Sequence, residues 1–159
     1  MDFLWSPWRY HYLASGAKRP STCFFCIGED RSRDGERLVV FRGVHNFIIL
    51  NLFPYTSGHV MVAPYDHLNT IALAKTEQMS EMMQLAQRLI GALQALYAPE
   101  GFNIGMNLGQ SAGAGIREHF HLHVVPRWVG DSNFTTVIGE TRVLPEELSR
   151  TYERLKKIL

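Results

Sequence analysis

Hydrophobic positions divide the first half of the chain into segments with two different periodicities. Three short apolar runs have strand character, 37–41, 46–52 and 58–64. From Thr76 to Tyr97 apolar residues recur every three or four positions, the period of one helical face, and Pro99 follows. We therefore expect an antiparallel meander of three strands, followed by one long helix with Thr76 as its N-cap.

The second half of the chain continues the alternation of strands and helices. Two further strand-like runs lie at 102–108 and 119–126, and a glycine-rich loop joins them. An amphipathic segment from 145 to 158 predicts a C-terminal helix with Pro145 in its first turn. Because strands come first and the helices are segregated, we predict an α+β fold: an antiparallel sheet of about five strands, a long central helix and a C-terminal helix.

Composition and charge narrow the class of protein. The chain has 159 residues, of which 46% are hydrophobic, so one domain can bury a sizeable core without disulfides. The formal net charge of +1 argues against an extended surface for a nucleic-acid polymer. No apolar run approaches the ~20 residues of a membrane helix, and the N-terminus lacks the pattern of a secretory signal. We expect a cytoplasmic protein that binds neither nucleic-acid polymer nor membrane.

Three of the seven histidines alternate with apolar residues at 119–123, in the order His119, Phe120, His121, Leu122, His123. In a strand the three imidazoles then share one face, and the apolar side chains share the other. Three interpretations are open: three surface histidines, three ligands of one catalytic metal ion, or a nucleophilic imidazole that its neighbours orient.

The loop before these histidines, residues 107–115, is rich in glycine. Its backbone N–H groups can approach an anion closely, although an ordinary connection between two strands explains the same glycines. Beside the histidines, the loop favours a site in which a nucleophile faces a phosphate group, as in phosphoryl or nucleotidyl transfer.

Two blocks of sequence carry a resemblance to a known family. Residues 119–125 read HFHLHVV, and residues 51–64 contain a fourth histidine before an apolar strand. The chain resembles the histidine triad (HIT) superfamily over roughly residues 20–130. The resemblance implies a homodimer whose sheets join, and attack on the α-phosphate of a nucleotide through a covalent nucleotidyl-histidine intermediate. It makes His121 the nucleophile and His123 the neighbour that contacts phosphate, and it assigns nucleotide or phosphate contacts to Asn51, His59, Asn107, Gly113 and Gly115.

The segments 5–9, 111–115 and 125–134 are most similar to bacterial diadenosine tetraphosphate phosphorylase-like (ATP adenylyltransferase-like) members. This resemblance implies a dinucleoside polyphosphate substrate, either hydrolysed or phosphorolysed. The alternatives are a metal-dependent hydrolase that uses all three triad histidines as ligands and a nucleotide-binding module without catalysis. Many members carry Gln or Ser just before the triad to act on the leaving group, whereas this chain has Gly115 and Ile116.

The two cysteines form the motif Cys23-Phe24-Phe25-Cys26. Three interpretations of the two cysteines are open: a redox pair, half of a metal site, or two ordinary thiols. The βαβ context that a thioredoxin-like redox pair requires is missing. A structural zinc would need two histidines as further ligands. Zinc-containing branches of the superfamily imply His67 and His119, with His45 as the substitute for His67. We thus predict one HIT domain over 1–159, whose N-terminal extension, 1–30, supplies half of a structural zinc site.

Overall fold

One antiparallel sheet of five strands organises the residues described by this computed structural model, which are 23–132 and 146–159. The strands are β1 (Val39–Arg42), β2 (Asn46–Leu50), β3 (Val60–Pro64), β4 (Gly101–Gly105) and β5 (Leu122–Arg127). Their order in the sheet is β1-β2-β3-β5-β4. The predicted α+β class and the meander of the first three strands are confirmed. The predicted segment 5–9 lies outside the described residues.

Two α-helices of the described residues complete the fold, α1 (Thr76–Tyr97) and α2 (Leu148–Ile158). The N-cap of α1 is Lys75, so the prediction of Thr76 was wrong by one residue. The side chain of Gln78 explains this start, because its Oε1 accepts a hydrogen bond from the Lys75 N–H at 2.8 Å. Helix α2 begins at Leu148, later than predicted, since Glu147 still has extended backbone; Pro145 lies outside the described residues.

The two faces of the sheet pack against different segments. On one face, α1 covers apolar residues that include Phe120, Leu122 and Val124. On the other face, Phe25 and Ile27 pack in a second cluster with side chains of β1, β2 and β3. Neither α1 nor α2 has the length and apolarity that a membrane crossing requires.

Strand β5 starts three residues later than predicted, and this difference shapes the site. The N–H of Phe120 donates to the carbonyl of Leu68 at 2.7 Å instead of pairing with β3. Since β3 ends at Pro64, which has no N–H to donate, the ladder cannot continue past Leu122. His119 and His121 therefore lie in the segment that leads into β5, and His123 lies within it.

Candidate active site and adjacent metal centre

The three triad histidines are neighbours on the face of the sheet opposite α1, as the alternation predicted. His119 and His121 are buried, at 0% and 5% exposure, and His123 is half-buried. The ring centroids of His121 and His123 lie 4.7 Å apart in an edge-to-face arrangement. On the β4 side, His123 pairs with Gly105, which has no side chain to cover it.

The imidazole of His121 is held by a single backbone acceptor. Its Nδ1 lies 3.0 Å from the carbonyl oxygen of His119, so Nδ1 carries the proton and donates it. The other nitrogen, Nε2, then keeps its lone pair. Burial lowers the pKa of His121, which keeps the ring neutral near pH 7. A neutral imidazole with an available Nε2 lone pair is the form that acts as a nucleophile.

A chain of hydrogen bonds fixes the proton of His123. The backbone N–H of Tyr55 donates to Nδ1 of His59 at 3.1 Å, so the proton of His59 is on Nε2. Nε2 of His59 lies 2.9 Å from Nδ1 of His123 and donates to it. His123 therefore carries its own proton on Nε2. Burial lowers the pKa of His123 to about 4, so at pH 7 the ring is neutral and has one N–H to donate.

The other predicted contact residues surround this relay to different degrees. Asn51 lies beside it, with its amide nitrogen 3.3 Å from Nδ1 of His59, and its Oδ1 accepts the N–H of Phe53. Asn107 and His123 line an open cleft of about 1270 Å³. In the glycine-rich loop, the N–H of Gly113 donates to the carbonyl of Gln110 at 2.9 Å. Gly115 is exposed and, like Gly113, does not line this cleft.

Four side chains, one of them the first histidine of the triad, converge on one point. The ligand atoms of Cys23, Cys26, His67 and His119 all lie within 4.8 Å of one another. His119 donates from Nε2 to the carbonyl of Pro64 at 2.8 Å, which leaves the lone pair of Nδ1 directed at the cysteines. Nδ1 of His119 lies 3.6 Å from Sγ of Cys23 and 4.0 Å from Sγ of Cys26. Nδ1 of His67 lies 3.3 Å from Sγ of Cys26.

These spacings fit a tetrahedral ion. With Zn–S of about 2.3 Å and Zn–N of about 2.0 Å, a tetrahedron separates sulfur from nitrogen by about 3.5 Å. The observed separations of 3.3–4.0 Å bracket this value. Burial and the adjacent Cys23 thiol raise the pKa of Cys26, which disfavours its thiolate. A cation bound between the two sulfurs would favour both thiolates. His67 thus completes the group, and His45, the substitute considered from the sequence, does not belong to it.

Two residues without an assigned role from the sequence also contact the site. The ring of Phe25 lies 4.6 Å from that of His121, and the ring of Tyr55 lies 4.6 Å from that of His59. Phe25 stands between the two cysteines, and Tyr55 belongs to the block before the fourth histidine. Their neighbours in sequence could have drawn attention to them, but the contacts depend on how distant segments pack.

Comparison with known proteins decides the family. The model of the HIT domain family matches residues 33–129, more than half of the chain. The chain belongs to the HIT family. This HIT chain is 40% identical over 156 residues to AP-4-A phosphorylase of Mycobacterium tuberculosis, covering 93% of the chain and 79% of that relative. It is 27% identical over 113 residues to bis(5'-adenosyl)-triphosphatase of Dictyostelium discoideum, covering 70% of the chain and 74% of the relative.

A solved structure supports the same assignment for this HIT chain. It is a zinc-bound histidine triad family protein from Mycobacterium smegmatis, with 25% identity and a TM-score of 0.66. The match covers 86% of the chain and 92% of that protein. Together these comparisons confirm the predicted family, its fold and the prediction of a nucleotide-processing enzyme.

Proposed function

We propose that this HIT protein transfers a nucleotidyl group from a dinucleoside polyphosphate, such as diadenosine tetraphosphate, through a covalent intermediate on His121. The observation that carries the proposal is the complementary protonation of two adjacent rings. His121 presents a lone pair on Nε2, and His123 presents an N–H on Nε2. A nucleophile beside a hydrogen-bond donor suits attack on phosphorus, where charge develops on the phosphoryl oxygens. The relative named AP-4-A phosphorylase supports the choice of substrate.

The reaction proceeds in two displacements. Nε2 of His121 attacks the α-phosphorus, an N–P bond forms, and the bridging P–O bond breaks with its electron pair leaving on the polyphosphate. From diadenosine tetraphosphate the leaving group is ATP, and the N–H of His123 donates to an oxygen of the transferred phosphoryl group. An acceptor oxygen then attacks phosphorus and the N–P bond breaks, which returns the lone pair to His121. Water as acceptor gives AMP and releases a proton, whereas inorganic phosphate gives ADP.

The geometry favours this mechanism over a hydrolase with three histidine ligands on one ion. Nδ1 of His119 is directed at the cysteines, and Nδ1 of His123 bonds to His59. Nδ1 of His121 donates to a carbonyl. The three rings thus have three separate partners.

The test uses His121→Ala, with His45→Ala as a control that removes an imidazole outside the site. Each protein is incubated with diadenosine tetraphosphate, with and without inorganic phosphate, and the products are separated by chromatography. We expect His121→Ala to lose about 10³-fold or more in kcat while its metal content stays unchanged. ADP that forms only with phosphate identifies a phosphorylase. Substantial turnover by the His121→Ala variant would exclude His121 as the nucleophile. Loss of metal in that variant would favour the metal hydrolase.

We propose further that the four-ligand group holds a structural zinc ion. The two thiolates of Cys23 and Cys26 balance the charge of Zn²⁺, and four protein ligands leave no position for substrate. The ion would fasten residues 23–26 to the segment that enters β5. Metal analysis should give one zinc per chain, and Cys26→Ser should lose it with a lower Tm. Full zinc content in Cys26→Ser would contradict this ligand set.

Strand β4 offers the predicted homodimer an edge at which two sheets can join. This strand is at the end of the sheet, and Asn103, Ile104 and Gly105 are exposed, with Ile104 at 44%. An edge strand with open backbone groups pairs readily with a second strand. We propose that β4 pairs with its copy in a second chain. Sedimentation analysis should show a dimer that Ile104→Lys dissociates, and a wild-type monomer would refute the proposal.

The proposed zinc site bears on the location, because it needs Cys23 and Cys26 as thiolates and not as a disulfide. A reducing compartment maintains cysteines in that state. We propose that the protein is cytoplasmic, and cell fractionation with an antibody to the chain tests this.

A further inference from the structure

Phe25 joins the candidate metal centre to the candidate nucleophile. It stands between the two cysteine ligands and is 1% exposed. Its ring lies 4.6 Å from the ring of His121, with an angle of 36° between the planes, and 5.3 Å from the ring of His119. The preceding residue, Phe24, is 38% exposed and contacts Phe25 edge-on. Phe25 therefore borders the site, and Phe24 borders solvent.

Two rings contact the imidazole of His121. The ring of Phe25 lies 4.6 Å from it with an angle of 36° between the planes, and the ring of His123 lies 4.7 Å from it in an edge-to-face arrangement. The single hydrogen bond from Nδ1 leaves the ring able to rock about that bond. Contacts with these two rings restrict this motion and so fix the direction of Nε2. A phenyl ring also has no polar atom that could compete for the Nε2 lone pair.

The segment that carries Phe25 is fastened at both ends. At one end are the candidate ligands Cys23 and Cys26. At the other end, Nη1 of Arg42 donates to the carbonyl of Gly28 at 2.7 Å, and Arg42 forms an ion pair with Asp34 whose side chains are only 7% and 11% exposed. The position of Phe25 therefore depends on the Arg42 anchor, on the ligands of the candidate metal centre, and on the packing of its own ring against the sheet.

We propose that Phe25 is a positioning residue that sets the orientation of His121, so that metal binding at the cysteines is coupled to nucleotidyl transfer. The catalytic part rests on the proposed function. A displaced nucleophile changes the rate of attack more than the affinity for substrate, and a misplacement of about 1 Å costs up to ~100-fold. The coupling should therefore be visible in kcat rather than in KM.

The test compares Phe25→Leu with the matched control Phe24→Leu. Leucine fills much of the buried space but lacks the flat ring. With diadenosine tetraphosphate as substrate, we expect Phe25→Leu to lose about tenfold in kcat, with KM within about twofold and one zinc retained per chain. Phe24→Leu should match the wild type. Phe25→Met, with an unbranched side chain, has the same expected outcome and serves if the leucine variant does not fold.

A second readout needs no substrate. In two-bond ¹H–¹⁵N spectra of the imidazoles, wild-type His121 should show one sharp set of signals with the proton on Nδ1. Phe25→Leu should broaden or shift these signals, and Phe24→Leu should not. Removing the metal from the wild type with a chelator should produce the same change.

The two readouts separate the possible failures. A wild type without turnover on dinucleoside polyphosphates would refute the proposed function, while the spectra would still decide the role of Phe25. Unchanged His121 signals and unchanged kcat in Phe25→Leu would overturn the inference. Spectra that do not respond to metal removal would overturn the coupling.

Discussion

Replacing His59 by leucine removes the hydrogen bond that determines which nitrogen of His123 carries the proton. His59 is 1% exposed, and leucine approximates its volume, so the packing changes little. The variant deletes the acceptor of the Tyr55 N–H and the donor to Nδ1 of His123. Because the pKa of His123 is about 4, the ring stays neutral at pH 7, and only its tautomer and orientation respond.

The magnitude follows from these two bonds. Removing the partner of a buried polar group costs about 1–3 kcal/mol for each of the two groups, so the free energy of unfolding should fall by about 2–6 kcal/mol in His59→Leu. The bond to His123 itself is worth about 1 kcal/mol, a factor of about five in the ratio of its two tautomers. Only the tautomer with its proton on Nε2 can donate to the phosphoryl group, and a fivefold change in the ratio lowers its population by at most fivefold. We therefore expect kcat to fall by about two- to fivefold, far less than for His121→Ala.

The assay combines urea unfolding, steady-state kinetics and imidazole ¹⁵N spectra of His59→Leu. The control is His59→Gln, whose amide N–H can still donate to Nδ1 of His123, and it should keep the wild-type tautomer and most of kcat. If His123 keeps its proton on Nε2 in the leucine variant and kcat is unchanged, the relay from Tyr55 through His59 does not set the protonation of His123.

Two further predictions concern stability. The carboxylate of Glu81 accepts three successive backbone N–H groups of the β1–β2 turn, at residues 44–46. Burial raises the pKa of Glu81, but these bonds and the bond from the Asn46 amide outweigh it and hold the pKa below its usual value. The stabilisation from these bonds is present above the usual carboxyl pKa near 4.5 and is lost as pH falls through the lower folded pKa. In urea unfolding, Glu81→Gln should lower the free energy of unfolding by about 1–3 kcal/mol at neutral pH, and the difference from the wild type should close in acid. A difference that stays constant with pH would contradict the prediction. Gly58→Ala should lower the free energy of unfolding by about 1–3 kcal/mol, because φ of Gly58 is +75° and a Cβ there would lie 3.1 Å from Leu93. Gly91 is exposed in α1 and a Cβ there would have nothing within 4 Å, so Gly91→Ala should raise the Tm. Equal effects of the two alanines would refute this.

Much of the local structure could be predicted from the sequence because it depends on local periodicity. The helical spacing gave the bounds of α1, and the alternation at 119–125 showed which side chains share a face. The ends of elements were predicted less well, since they depend on distant partners. Gln78 accepts the N–H of Lys75 and so makes Lys75 the N-cap of α1, and Leu68 holds Phe120 out of the β3–β5 ladder.

In the site, too, the sequence predicts local features better than contacts between distant segments. The family resemblance predicted that His59 and His123 contact the nucleotide, but it did not predict their contact with each other. That contact depends on the pairing of β3 with β5, in which Met61 lies opposite His123, and these strands are separated by α1 and β4 in the chain. The tilt of Phe25 onto His121 depends likewise on how the N-terminal segment covers the sheet. Only the tertiary arrangement gives such contacts.

The triad itself shows how three identical side chains can be prepared for three different roles. Each of its histidines commits one ring nitrogen to a structural partner, and that partner determines what the other nitrogen can do. His119 commits Nε2 to Pro64, so Nδ1 is left for a metal. His121 commits Nδ1 to a carbonyl and keeps a lone pair, whereas His123 accepts at Nδ1 and keeps a proton. Three identical side chains thus differ as the proposed ligand, nucleophile and donor require, because the backbone and His59 offer them a carbonyl, a carbonyl and an N–H.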